Sequence, residues 1–449
     1  MQDTLFPLPE EQARSKPEPE PRGKPRLLQA NRQQVEFRVA SLDDLLPPDA
    51  RVRLVWAMVE RYDLSAFYDQ IEAVEGEPGH PAIDPALLLA VWLAATLDGV
   101  GSARALDRLC REHLAYLWLL GGVGVNYHTL SDFRVVHEEL LDGLLTRSVA
   151  ALMDEGLVDL THTAQDGIRV RASAGASSFR RAETLAACLQ KAEQHVQQLK
   201  AAGAADDAPA PTPRQAAARE RAARERLERV QAAVEEVAKL QAAKDQQREL
   251  KRKERPARAS STDPEARVIK MANGGFQPAY NAQLNVDMHS RIIVGVAVST
   301  QADPQLLGPM LDQTQERYGR LMDEHYVDGG FRSNENVTAA ATRGVTVYTP
   351  IPRRRPSKRN PHPPEEVLPT DSPQVAEWKQ RMITPEAKTK YKDRAATVEW
   401  ANALLRQRGL QRLLVRGVHK ARAVLLWFVL AHNLIQTAAL RQQRQALPA

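Results

Sequence analysis

Cysteine is nearly missing from this chain of 449 residues. Its two thiols, Cys110 and Cys188, stand far apart, and neither has a Cys-x-x-Cys partner. That excludes a disulfide framework and a structural zinc site of the usual spacing. Two reduced structural thiols in a reducing compartment are expected instead. Long hydrophobic runs are missing as well. A membrane-spanning helix needs about 18 or more consecutive apolar residues, and the most apolar stretch, 421–440, is interrupted by His432, Asn433 and Gln436. It reads as a buried amphipathic helix. The first residues hold no apolar segment flanked by basic ones, so no secretory signal is expected. Together these absences predict a soluble, cytoplasmic protein with no membrane partner.

What is present is ordinary in amount and uneven in distribution. The chain is 43% hydrophobic and 26% charged, enough for a sizeable core spread over two or three domains. Its net charge is +5, which is only mildly basic, so the distribution of charge says more than the sum. Residues 1–39, rich in Pro, Glu, Arg and Lys, bury too little to repay ordering and are expected to form a disordered tail. Residues 40–156 carry helical signals throughout. Asp84 followed by Pro85 starts one helix that ends near Gly99, Ser102 caps the next, and a third runs from about Thr129 or Ser131 towards Gly156. This segment predicts an all-helical domain.

From 157 to 177 the pattern turns to short β-type runs. Residues 178–254 are rich in Ala, Glu, Gln, Arg and Lys, with Leu227, Val230, Val234, Val237 and Leu240 forming a narrow apolar seam at helical spacing. The stretch 201–213 breaks it into two arms, which predicts a coiled-coil-like helical hairpin inserted into the surrounding domain. Strands are expected over 279–286 and 292–298, at 326–327 and over 345–351, and helices over 304–321 and 334–342. A Pro- and Arg-rich linker at 352–364 precedes two last helices, one around Glu399 and one over 420–441. Residues 442–449 are read as a tail.

With the hairpin set aside, the order is strand, strand, strand, helix, strand, helix, strand, helix. That is the order of a ribonuclease-H-like core. The expected fold is therefore α/β: a mixed sheet flanked by helices, formed by 157–177 and 255–441. In this reading Asp166 ends the first strand, Asp328 follows the fourth, and Glu399 lies on a later helix. Taken alone, an Asp-Gly pair after a strand is ordinarily a turn and a helical Glu is ordinarily solvated. Taken together, three carboxylates at these element ends could converge on two divalent cations. Carboxylate oxygens suit Mg²⁺ or Mn²⁺, and two such ions suit in-line attack on a phosphodiester. Lys388, Lys390 and Lys392, with Tyr391, Arg394 and Arg406, add positive charge and an aromatic group around Glu399, as salt-dependent phosphate binding requires.

Several motifs carry a resemblance. Asp166-Gly167, Asp263-Pro264-Glu265-Ala266-Arg267, the run from Gly274 to Gln283 and Asp328-Gly329-Gly330-Phe331 resemble the DDE transposases of bacterial insertion sequences. So do Tyr391-x-x-Arg394, Glu399 and Arg412-x-x-x-Arg416-Gly417. The region 81–137, with Trp118 and Thr129 to Arg134, resembles the helical domain that accompanies them, and the likeness spans about 40–440. It implies that Asp166, Asp328 and Glu399 form a catalytic, metal-binding triad holding two Mg²⁺ (or Mn²⁺) ions. It also implies that Tyr391, Arg394 and Arg406 contact DNA, with Arg406 standing where such enzymes have Lys. The partners implied are double-stranded DNA, as element ends and target, and further copies of the chain. Two rivals are a ribonuclease-H-like nuclease without strand transfer and an inactive, transposase-derived DNA-binding protein.

Overall fold

Short-range capping signals set the helices of the N-terminal part. The computed structural model describes residues 39–74, 81–202, 212–246, 256–353 and 361–446. Its first helices are α1 (Leu42–Leu45), α2 (Arg51–Val59), α3 (Ser65–Tyr68), α4 (Pro85–Leu97), α5 (Ala103–Glu112), α6 (Leu114–Leu120), α7 (Tyr127–Val136) and α8 (Glu138–Asp154). Asp84 caps α4 by accepting from the Ala86 amide at 2.8 Å, and Pro85 takes the first position, where no amide is needed. Ser102 caps α5. The single helix expected from about 129 to 156 is instead two, parted at His137. The first of them starts early because Asn126 accepts from the amides of both His128 and Thr129.

Eight strands are found among the described residues: β1 (His162–Arg171), β2 (Phe179–Arg180), β3 (Ala259–Ser260), β4 (Arg267–Lys270), β5 (Phe276–Asp287), β6 (Ile293–Ser299), β7 (Glu324–Val327) and β8 (Thr346–Tyr348). β1 is central. β5 pairs with it antiparallel on one side and β7 parallel on the other, with β8 parallel outside β7. β4 and β6 share the far edge of β5, both antiparallel to it. The sheet is thus mixed, and the protein is mixed α/β. Two details differ from expectation. β1 does not end at Asp166 but continues to Arg171, because its antiparallel ladder with β5 runs on to Arg171↔Ala279. β4, too short and too charged to show a period-2 signal, was not expected.

The remaining helices are α9 (Ala182–Ala202), α10 (Pro213–Asp245), α11 (Leu307–Tyr318), α12 (Asn334–Thr342), α13 (Pro373–Ile383), α14 (Pro385–Lys392), α15 (Trp400–Gln407) and α16 (Val418–Ala446). α9 and α10 lie side by side. Leu185, at the start of α9, packs with Ala233 and Val237 late in α10, so the two run antiparallel. At their base β2 pairs with β3, which brings the entering and leaving chain together. Residues 1–38, the connector 203–211, the basic run 354–360 and residues 447–449 lie outside the described residues. Residues 442–446, read as tail, are the last turn of α16.

α16 is the pillar of the core. By length and composition it would cross a membrane, but 72% of its most apolar window is buried inside the structure. Trp427 donates to the Arg134 carbonyl at 2.9 Å and lies 6.2 Å from Trp92. One turn on, Asn433 clamps the backbone of β6, accepting from the Ile293 amide at 2.9 Å and donating to its carbonyl at 2.8 Å. His432, 0% exposed, hydrogen-bonds the Arg291 carbonyl. The polar residues that interrupt the run are therefore what fasten this helix to the sheet.

Candidate active site

The parallel ladder between β1 and β7 ends at Gln165↔Val327. Asp166 and Asp328 are the next residue on each side, so the register sets them opposite one another at the carboxyl end of the pair. Alternation gives Asp166 the sheet face opposite to that of Thr163 and Gln165. There it meets the helical segment that carries Glu399. Asn402 donates to one Asp166 oxygen at 2.7 Å, and the Arg394 guanidinium lies 3.1 Å from the other. Arg394 also donates to Glu399 at 2.9 Å. One buried guanidinium thus ties two of the three acids together.

A local irregularity makes that pairing possible. Residues Ala395–Glu399 form a π-helical turn rather than part of one continuous α-helix. In an α-helix, side chains five apart point about 140° away from each other at 3.6 residues per turn. A π turn widens the helix so that i and i+5 share a face, and Arg394 and Glu399 are five apart. Burial pushes the Asp166 carboxyl above its ordinary range. Arg394 opposes the shift, and the nearby charges of Asp328 and Glu399 add to it. The three acids therefore share one electrostatic neighbourhood. Even so, among the described residues no three His, Cys, Asp or Glu side chains are gathered as a ready metal cluster, because Arg394 sits between two of them.

The Asp328 loop is pinned on several sides. Tyr391 donates to the Val327 carbonyl at 3.0 Å, Thr349 donates to the Asp328 carbonyl at 3.0 Å, and the Gly330 amide donates to the Asp328 carboxylate at 2.7 Å. A Cβ on Gly330 would lie 2.8 Å from an Asp328 oxygen and 3.4 Å from an oxygen of Asp303. Asp303 is thus a fourth carboxylate beside the site, and sequence reasoning missed it. Its only signal was an Asp-Pro pair at a helix start. It accepts from Arg169 at 2.6 Å, Asn281 at 2.8 Å and Gln283 at 3.1 Å.

These partners belong to a polar layer on the other face of the sheet. His325 bridges Thr163 at 2.8 Å and Gln165 at 3.1 Å, and Gln165 donates to Gln283 at 2.9 Å. Burial lowers the His325 imidazole to about 3, so it stays neutral. Gly167 lies against this layer. A Cβ there would come within 2.5 Å of the Gln283 amide nitrogen and 2.6 Å of the Asn281 oxygen. Asp166-Gly167 is therefore no turn. The glycine lets the amide ladder pass beneath the strand.

The residues expected to contact DNA divide into two groups. Arg394, 5% exposed, faces inward to the acids, and the Tyr391 hydroxyl is engaged by the Val327 carbonyl. Lys390 pairs with Glu324 at 2.9 Å. Lys388 is exposed although its ammonium reaches the Ile383 carbonyl, and Lys392 and Arg406 are exposed. Asn402, also missed, lies three residues after Glu399 on α15. Its side-chain oxygen is buried without a partner beside Asp166.

Residues 40–135 match a family described as a transposase domain (DUF772). The match supports a transposase. It runs from the start of α1 into the last turn of α7 and includes none of the acids. No curated protein matches the chain.

Proposed function

We propose that this chain is a DDE transposase of a bacterial insertion sequence, with a ribonuclease-H-like catalytic core that binds the element's ends, cuts them and joins them to target DNA. The observation that carries the reading is the β1–β7 register, which sets Asp166 opposite Asp328 while Glu399 reaches the same carboxylate through Arg394. The transposase-domain match over 40–135 supports it independently.

The donor set fits two Mg²⁺ or Mn²⁺ ions. It consists of hard carboxylate oxygens from Asp166, Asp328 and Glu399, mutually repelling, beside an unpartnered amide oxygen of Asn402. Such ions supply Lewis acidity for in-line displacement at a phosphodiester. The rest is the work of the chain. Tyr391 and Thr349 hold the Asp328 loop in position, and Asn402 orients Asp166. Arg394 offsets the repulsion between the acids and must release them as they take up cations. Exposed Arg406, Lys388 and Lys392 hold phosphates, while paired Lys390 steadies Glu324. Double-stranded DNA and a second copy of the chain are the partners in this reading.

The test is cleavage of end-containing DNA in Mg²⁺ or Mn²⁺, run beside a binding assay. Asp166→Asn, Asp328→Asn and Glu399→Gln should each cut cleavage on the order of 10³-fold or more, as groups acting as one unit do. Binding to the ends should survive, since phosphate contacts elsewhere supply it. Near wild-type cleavage by any one variant would sink the assignment.

A further inference from the structure

A cleft of about 550 Å³ opens beside Gly167, the residue next to Asp166. Arg171, Lys270 and Arg406 line it, and no acidic side chain does. Arg169 also reaches it but is engaged by Asp303. Arg171 and Arg412 are neighbours in an isolated parallel bridge, with the Leu413 amide donating to the Arg171 carbonyl at 2.8 Å. Among the described residues none of Arg171, Lys270, Arg406 and Arg412 has an acidic partner. Like charges gathered this closely repel unless an anion lies between them.

The wall of the cleft is the β4–β5 hairpin, and its tip carries an unusual residue. Phe276 is 68% exposed and sits directly opposite Lys270 in the ladder, so both side chains leave on one face. Val268, 48% exposed, is on that face too. An aromatic ring held out beside unpaired cations fits a polyanion that also offers a flat π surface. A paired base is hidden in its stack, whereas an unpaired one is free to lie on a ring.

We propose that this cleft holds an unpaired DNA strand next to the acids, with its phosphates on Arg171, Lys270 and Arg406 and a base stacked on Phe276. The inference rests on the DNA-processing reading above and adds to it the state of the strand. It gives the hairpin a role in keeping one strand away from its complement while the other groups act.

The test uses the full chain, a single-stranded oligonucleotide carrying 2-aminopurine, and a duplex of the same length. Binding the single strand should quench 2-aminopurine. Phe276→Ala should abolish the quench and weaken single-strand binding at least about fivefold, with duplex affinity nearly unchanged. Arg171→Gln, Lys270→Gln and Arg406→Gln should each lower the salt slope for the single strand by about 0.7. Phe276→Leu, which keeps an exposed apolar side chain, should bind without restoring the quench. If Phe276→Ala quenches and binds like the unmodified chain, the cleft proposal fails while the proposed function stands. The same holds if the cleft variants lose only self-association or binding to an acidic peptide. If the unmodified chain binds neither DNA form, both fail together.

Discussion

At the scale of single residues, two features of Asp166-Gly167 make separate predictions. Gly167→Ala puts a methyl group into the Gln283 and Asn281 amides, which have no room to retreat within their own hydrogen bonds. Overpacking of this kind costs roughly 1–3 kcal/mol, read as a lower urea midpoint. Gly329→Ala is the matched control: its nearest neighbour would be Pro350 at 3.5 Å, an ordinary contact, so the midpoint should barely move. The Asp166 carboxyl supplies the second prediction. Its folded pKa is raised, so it favours the fold when protonated, and that contribution is lost as pH rises through the raised value. At neutral pH the ionised group is a cost that Arg394 offsets in part. A divalent cation should remove that cost. Mg²⁺ is therefore expected to raise the melting temperature of the unmodified chain, by more as pH climbs through the Asp166 titration. Asp166→Asn should show no such gain, and equal shifts in both proteins would refute a cation on this carboxylate.

At the scale of elements, the hairpin and the turn before α15 show what sequence reveals and what it hides. The seam through Val234, Val237 and Leu240 was legible because a narrow apolar stripe on a charged helix has few other uses. Val237 is indeed buried against Leu185, with Val234 and Leu240 packed at its side. That cluster is small, and Arg180 and Ala259 are paired neighbours at the base of the arms. Replacing 182–254 by a short Gly/Ser linker should therefore leave the rest folding cooperatively, with its far-ultraviolet helix signal reduced and a single melting transition kept. Loss of that transition would show that α9 and α10 are part of the main core. The π turn was not legible. Asp393 to Arg406 reads as one continuous helix, and nothing in its residue types says where an extra residue widens it. Arg394 was accordingly expected to face DNA, whereas the wide turn directs it at Glu399 and Asp166. Asp303 escaped notice for a related reason: its importance comes from Gly330 and Asn281, which are distant in sequence.

At the scale of the whole molecule, most of the architecture followed from local signals. Capping residues located α4 and α5, and alternation located the β5–β6 pair. Register was the part that no local signal carried, since opposing Asp166 to Asp328 depends on strands about 160 residues apart in the sequence. α16 binds these parts together, for it packs on α4, α7 and α8 and on β6 as well. The order in which the chain is made then matters. A ribosome adds roughly 5–20 residues per second, so α8 emerges some tens of seconds before α16 follows. For that interval Trp92 and the inner faces of α4 and α8 have no permanent cover, and the outer strand β6 has no Asn433 to close its backbone. The newborn protein must wait on its own late helix, and any factor that shields apolar surface during synthesis would find its longest opportunity here.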